Sequence, residues 1–370
     1  MSSKVFRVFL CAAFLIAAFS VNVLAWGDEG HRITVRIAAN YLNPSARAEI
    51  IKLLKVDAGN NNLYYSQTCP KILALAKKKT LTGAEADTFL SDGLACIASW
   101  ADPPVKSQRK YTSNWHFVDV PVVRATSSSP TLTMFDETRD CKMDWESGDC
   151  AFLALLRLEP VIGNYKNPAQ KGHEWGEELT SRAEALKFYV HIVGDIHQPL
   201  HCATDKKDKD ALDDPTDKGD MGGNAKNVSW FGDTETFYGF MNLHSVWDGG
   251  IIERTMQSNN WTESRYAQEL FKAIPKDENN NLMGMRLGGY GAWITDSYKL
   301  AVSNAYGKLP KYDASCKMTF TDSKTKKVKT ANGCYPLGAD YYNTNKPVVE
   351  EQLKLGGVHL AKQLNDIFKS

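Results

Sequence analysis

Residues 181–201 read SRAEALKFYVHIVGDIHQPLH, and how this stretch is read decides the fold. Up to Gln198 its apolar residues recur at helical spacing, and Pro199 stops the run. On that helix His191 and Asp195 stand four positions apart. They therefore share one face, about one turn from each other, and are able to grip one cation. His201 lies beyond the break. A lone pair at this spacing is equally a surface ion pair, but the sequence repeats it: in HSVWD, His244 and Asp248 have the same separation. His197 is read as outward-facing or as part of a supporting shell, not as a ligand.

Working outward, Trp26 to Leu42 carries Ile33, Ile37 and Tyr41, and Val35, Ala38 and Leu42, as helical stripes that end near Asn43-Pro44. Residues 81–102, 264–275 and 346–369 read as helices in the same way. The best strand signals are WHFVDVPVV (115–123) and KMTFTD (317–322). No internal repeat or linker divides the chain, so the expectation is a mainly α protein, a single helical domain over 26–370 with a few short strands. The run KKDKDALDDPTDKGDMGGN (206–224) mixes charge with Gly and Pro, and reads as a solvated surface loop or a lid.

A composition of 43% hydrophobic and 24% charged residues belongs to a globular chain and argues against disorder. Residues 1–25 stand apart. Lys4 and Arg7 precede VFLCAAFLIAAF, and Val23-Leu24-Ala25 offers a small-residue cleavage site, the pattern of a secretory signal with Trp26 as the mature first residue. The alternative, a membrane anchor, needs an apolar stretch of about 20 residues, longer than this one. Removing the signal moves the formal charge from +1 to about −1. A near-neutral chain has no strong basic field, so an anionic substrate must be captured locally.

Seven cysteines come after residue 25, and in an oxidising compartment most should pair. Proximity joins Cys141 with Cys150, and Cys316 with Cys334 around a Lys-rich segment. Among Cys69, Cys96 and Cys202 the choice of pair stays open. The sequons Asn227-Val-Ser and Asn260-Trp-Thr fit a secreted glycoprotein.

Further candidate ligands are His116 in NWHFVD, Asp102 in SWADPP and His31 in WGDEGHR. All are nitrogen or oxygen donors. Closed structural zinc sites favour thiolates, whereas catalytic ones use His and carboxylate and keep a position for water. Cleavage after Ala25 frees the amine of Trp26, which with its own carbonyl and His31 forms a chelate that the uncleaved amide cannot.

Taken together, Trp26 with His31, Asp102 in SWAD, His116 in WHF, His191-x3-Asp195-x5-His201 and His244-x3-Asp248 after GGN resemble the class I nucleases. These are secreted zinc-dependent enzymes of fungi, plants and protozoa. The likeness runs from Trp26 to the terminal GGVHLAKQLN. It implies a helical fold related to zinc phospholipase C and three zinc ions in one cleft. One zinc takes Asp102, His116, His191 and Asp195; a second takes Trp26, His31 and the other oxygen of Asp195; the third takes His201, His244 and Asp248. The implied activity is hydrolysis of single-stranded DNA and RNA to 5′-nucleotides and removal of 3′-phosphate from 3′-nucleotides, by metal-bound hydroxide attacking phosphorus.

The resemblance further implies that Asp102 orients the nucleophile, Phe117 stacks on a base, Asp119 accepts a hydrogen bond from it, and Asn224 lies nearby. One departure stands out. The family commonly carries an arginine three residues after the SWAD carboxylate, and here that position is Val105, with Lys106 next as a point-charge substitute. The protein is expected to be released, without a membrane anchor, and monomeric. The rival readings are a phospholipase C acting on lipid head groups and a non-catalytic zinc-holding or nucleic-acid-binding protein.

Overall fold

The computed structural model describes residues 26–122, 134–141, 148–163, 181–206, 219–236, 239–275 and 288–369. The proposed signal (1–25), and most of the charged run (207–218), lie outside the described residues.

At the centre is the helix Arg182–Asp195, capped where the Ser181 side chain accepts from Glu184 N, and buried at Ala183 and from Ala185 through Asp195. A helix covered on all sides must be apolar all round or satisfy its polar groups internally. This one has Leu186, Phe188, Val190, Ile192 and Val193 in the core, pairs its buried Lys187 with Asp57 at 2.8 Å, and gathers His191 and Asp195 at its C-terminal end. It packs against Asp28–Ala39, Pro44–Asn60, Ala151–Gly163 and the long C-terminal helix Ala339–Ile367. One hydrophobic core extends from Trp26 to Phe368. No helix among the described residues is long and apolar enough to cross a membrane.

Four of the anticipated helices are shorter than the pattern suggests, the central one ending at Asp195 rather than Gln198. Asp28–Ala39 leaves Trp26 before its start, Gly83–Ile97 leaves Asp102 beyond its end, and Glu263–Lys272 stops short of Pro275. The last helix is longer, running back through Pro347 to Ala339. Tertiary contacts hold that extra stretch: Tyr341 is buried, accepts from Trp247 Nε1 at 2.9 Å and donates to the Ala305 carbonyl at 2.8 Å.

The two strand expectations divide. KMTFTD, except for its final Asp322, falls within β2 (Asp313–Thr321), antiparallel to β3 (Val328–Leu337), which pairs in parallel with β1 (Val228–Trp230) in the order β1-β3-β2. WHFVDVPVV forms no strand over its described part. Residues Lys110–His116 are a 3₁₀ turn, and the chain beyond it is extended, with one isolated bridge, Pro121 to Thr204. The extended piece still makes ladder-like bonds, Val118 N to His201 O and Val122 N to Thr204 O, both 2.8 Å, but its partner is too short for a strand.

Cys141–Cys150 and Cys316–Cys334 are bonded as expected, the third disulfide is Cys69–Cys96, and Cys202 is free and buried. The charged run does not end in solvent: Asp220, Gly222 and Gly223 are buried, and Asp220 meets Tyr306 (3.0 Å) and Lys226 (3.5 Å).

Candidate metal centre

Eight of the nine anticipated ligand positions converge through their side chains in three groups: His31, His191 and Asp195; Asp102, His116 and His191; and His201, His244 and Asp248. Within each group the donor atoms lie within 4.8 Å of one another, and all eight residues are buried. The first two groups share His191.

Asp195 joins them as well. Its Oδ1 lies 3.2 Å from His31 Nε2, while Oδ2 lies 3.2 Å from His116 Nδ1 and 3.3 Å from His191 Nε2. Asp102 Oδ1 is 3.6 Å from His191 Nε2. In the third group Asp248 stands 3.3 Å from His244 and 3.7 Å from His201. The distances to His191 and His244 realise the two His-x3-Asp spacings, although the second rests on a three-residue helix, Leu243–Ser245, followed by a π-turn, Val246–Gly250.

Backbone carbonyls fix the rings. His191 Nδ1 donates to Ala98 O at 2.7 Å, His201 Nδ1 to His116 O at 2.6 Å, and His244 Nδ1 to Gly222 O at 2.7 Å. With Nδ1 carrying the proton, each Nε2 presents its lone pair to the group, the arrangement that supports ligating imidazoles. The bond from His201 also ties the third group to the segment that bears His116.

Burial governs the charge states. It holds His191 neutral, with its pKa pushed down to about 3. His31 and His116 are likewise held well below the ordinary value, by burial first and then by a neighbour that disfavours a second positive charge, the His191 ring for His31 and the Lys106 ammonium for His116. Burial, with Asp102 adding to it, raises Asp195 well above the carboxylate range, and burial lifts Asp248 to about 7. Both oxygens of Asp195 and both ring nitrogens of His31 are buried without a hydrogen-bond partner among the described residues. Neutral imidazoles facing Asp195, a carboxylate whose oxygens accept no hydrogen bond among the described residues, form a donor set suited to a divalent cation, which supplies the missing positive charge.

Trp26 is fully buried, and the N–H of Gly27 donates to Asp248 O at 2.8 Å, which seats the start of the described chain against the third group. Lys106 is half-buried. Burial lowers its pKa, opposed by Asp102, Asp195 and Asp248, so its ammonium shares a field with carboxylates of all three groups. Phe117 and Asp119 alternate with the fully buried Val118 and Val120 and are partly open, so both side chains leave the extended segment on its outer face. Asn224 donates through its side chain to Met221 O at 2.8 Å, and it also lines the cleft beside His244 and Asp248.

Two contributors have no signal in the sequence. Gln198 donates through Nε2 to Asp248 Oδ1 at 2.6 Å and caps the 3₁₀ turn Pro199–Cys202 that swings His201 inward. Gly194 gives His31 its place, since a β-carbon there would sit 2.6 Å from His31 Nδ1. Neither the bond to Asp248 nor the packing against His31 has a local signature, because each joins residues distant in sequence.

The family model described as S1/P1 nuclease matches residues 26–369. The chain belongs to this family. As an S1/P1 nuclease it is a hydrolytic enzyme, and its mainly helical fold with a small three-stranded sheet agrees with that membership. Its relatives include Endonuclease 3 of Arabidopsis thaliana, 27% identical over 369 residues, covering 98% of this chain and 96% of the relative. Nuclease P1 of Penicillium citrinum is 26% identical over 349 residues (93% and 98%), and Nuclease S1 of Aspergillus oryzae is 24% identical over 344 residues (92% and 91%).

Proposed function

We propose that the protein is a secreted, monomeric hydrolase with three zinc ions, which cuts single-stranded DNA and RNA to 5′-nucleotides and removes the 3′-phosphate of 3′-nucleotides. The observation that carries this reading is the sharing of His191 and Asp195 between two buried donor groups, with a third group bonded to them through His201. Asp102, His116, His191 and Asp195 would hold one zinc, Trp26, His31 and Asp195 a second, and His201, His244 and Asp248 the third. Bound there, the ions would supply Lewis-acid polarisation and an activated water.

The chain's own residues take the remaining roles. Asp102, at the edge of the shared pair, accepts a hydrogen bond from the attacking water and sets its line to phosphorus. Lys106 places a cation near the phosphate oxygens. Phe117 stacks on a base and Asp119 accepts a hydrogen bond from it, with Asn224 bordering the pocket; stacking of this kind is worth about 1–3 kcal/mol per base and suits an unpaired strand. Continuity of the core from Trp26 to Phe368 supports a single domain over 26–370. Three disulfides support an oxidising compartment, and with it a signal over residues 1–25.

The test is hydrolysis of single-stranded polynucleotide by protein beginning at Trp26, with and without chelator, alongside its metal content. Release of 5′-mononucleotides that stops on chelation, from protein holding three zinc ions, is the expected result. No release from zinc-loaded protein would overturn the reading. Protein with one extra residue before Trp26 should hold less zinc and lose most turnover, because its amine no longer reaches the chelate.

A further inference from the structure

The Lys-rich segment inside the Cys316–Cys334 loop takes no part in the metal centre. Between Asp313 and Leu337 the chain carries five lysines against two aspartates, although its overall formal charge is only +1. Lys317, Lys324, Lys326, Lys327 and Lys329 are all exposed.

The hairpin is held in place. Its strands are bridged by the disulfide, and β3 continues into the parallel pairing with β1. Thr234 Oγ1 donates to Thr319 O at 3.3 Å, and Glu235 Oε2 accepts from Thr321 N at 2.9 Å. The tip is ordered too, since Asp322 accepts from Lys324 N (3.0 Å) and Thr325 N (2.7 Å).

A cleft of about 960 Å³ connects this hairpin to the metal centre. Its lining includes His244 and Asp248 of the third group together with Lys324 and Lys329 of the hairpin. Arg254, which lies over Phe231 at 3.7 Å from the ring centre, belongs to the same lining. The lining also carries the carboxylates Asp233, Glu235, Glu253 and Asp322, so the excess of positive charge lies on the hairpin, whose exposed lysines can neutralise the phosphates of a polynucleotide backbone.

We propose that the β2–β3 hairpin is a backbone clamp for a single-stranded polynucleotide, holding through Lys324, Lys326, Lys327 and Lys329 the part of the strand that leaves the centre past His244 and Asp248. This rests on the nuclease reading above and adds a consequence that reading lacks: polymers are gripped at the hairpin, whereas a dinucleotide or 3′-mononucleotide is too short to reach it. Each phosphate neutralised on a single strand contributes about 0.7 to the slope of log affinity against log salt. Four contacts would therefore make up to about a 50-fold difference in affinity between 50 and 200 mM salt.

The test replaces Lys324, Lys326, Lys327 and Lys329 together by Gln in the zinc-loaded protein, which keeps the stems and removes the charges. Binding of a hydrolysis-resistant phosphorothioate oligothymidylate is followed by fluorescence anisotropy across that salt range, and hydrolysis of a dinucleotide and of long single-stranded DNA is measured in parallel. The clamp predicts weaker oligonucleotide binding at low salt, a slope shallower by up to about 3, a raised KM for the polymer and an unchanged rate on the dinucleotide. An unchanged slope and an unchanged polymer KM would overturn it. Failure of the unsubstituted protein to cleave either substrate would instead refute the nuclease reading, and the anisotropy slopes would still decide the clamp.

Discussion

Asp195 Oδ1 lies 3.2 Å from His31 Nε2, joining the C-terminal end of the central helix to the first helix of the described chain. The contact exists because the residue before Asp195 is glycine. Gly194→Ala would direct a methyl group at His31 Nδ1, from 2.6 Å, in a helix where alanine is otherwise favoured. The expected outcome is a lower metal content and a loss of kcat/KM of about 10- to 100-fold, with helicity retained. Mass spectrometry of bound metal and steady-state kinetics check it, and wild-type values for both would show that the close approach is unimportant.

Gln198 orients Asp248 without itself facing the cleft. Gln198→Leu removes the 2.6 Å bond to Asp248 Oδ1 and leaves a buried carboxylate oxygen short of a donor. Affinity of the third group for metal should fall about 10- to 100-fold, while the two groups that share Asp195 keep theirs. A competition titration against a chromophoric chelator separates a single weakened site from a general loss.

Metal uptake by the third group should depend on pH near neutrality. Burial lifts Asp248 to about 7 in the metal-free protein, so below that value a proton occupies the carboxylate and must leave before a cation binds. Affinity is therefore expected to fall about tenfold for each unit below about pH 7. His191, neutral down to about 3, takes no part in this loss. Calorimetric titrations in buffers of different ionisation enthalpy count the protons released; none at pH 6 would contradict the assignment.

Lys106 stands where the field of Asp102, Asp195 and Asp248 overlaps, one position beyond Val105, which occupies the usual arginine's place. Lys106→Ala should lower kcat/KM by about 10- to 100-fold, with metal content unchanged. Lys106→Arg should recover part of the loss. If turnover and affinity both survive the alanine, the lysine has no part in handling phosphate.

Cys69–Cys96 closes a span of 27 residues, the longest of the three bridges. By its effect on the unfolded chain, replacing both cysteines by alanine should cost about 3.5 kcal/mol of stability. Denaturant unfolding measures this. The same treatment of Cys202, already free and buried, should leave the disulfide content unchanged.

The metal donors are legible in the sequence because two of the pairs are local. His191 with Asp195 and His244 with Asp248 declare themselves through a spacing of four, which one turn of helix converts into a shared face. The extended segment after His116 reads as a strand without being one, since its alternating Val118 and Val120 satisfy a pattern that does not say whether a long enough partner exists. The helix through Pro347 begins earlier than its periodicity indicates, because the tertiary bonds of Tyr341 override the local signal. Among Cys69, Cys96 and Cys202 the pairing has no local determinant at all.

By itself, then, the sequence picked out the candidate donors: imidazoles and carboxylates, two pairs of them at a spacing of four. Only the tertiary structure decided which of them meet. Asp195 faces His31, His116 and His191 at once because three segments pack around one helix end, and His201 is held beside them by its 2.6 Å bond to the His116 carbonyl. The physical reason is range. Helical periodicity and turn chemistry act over a few residues, whereas bringing Asp102, His116, His191 and Asp195 into one group takes the burial of a core that runs nearly the length of the chain.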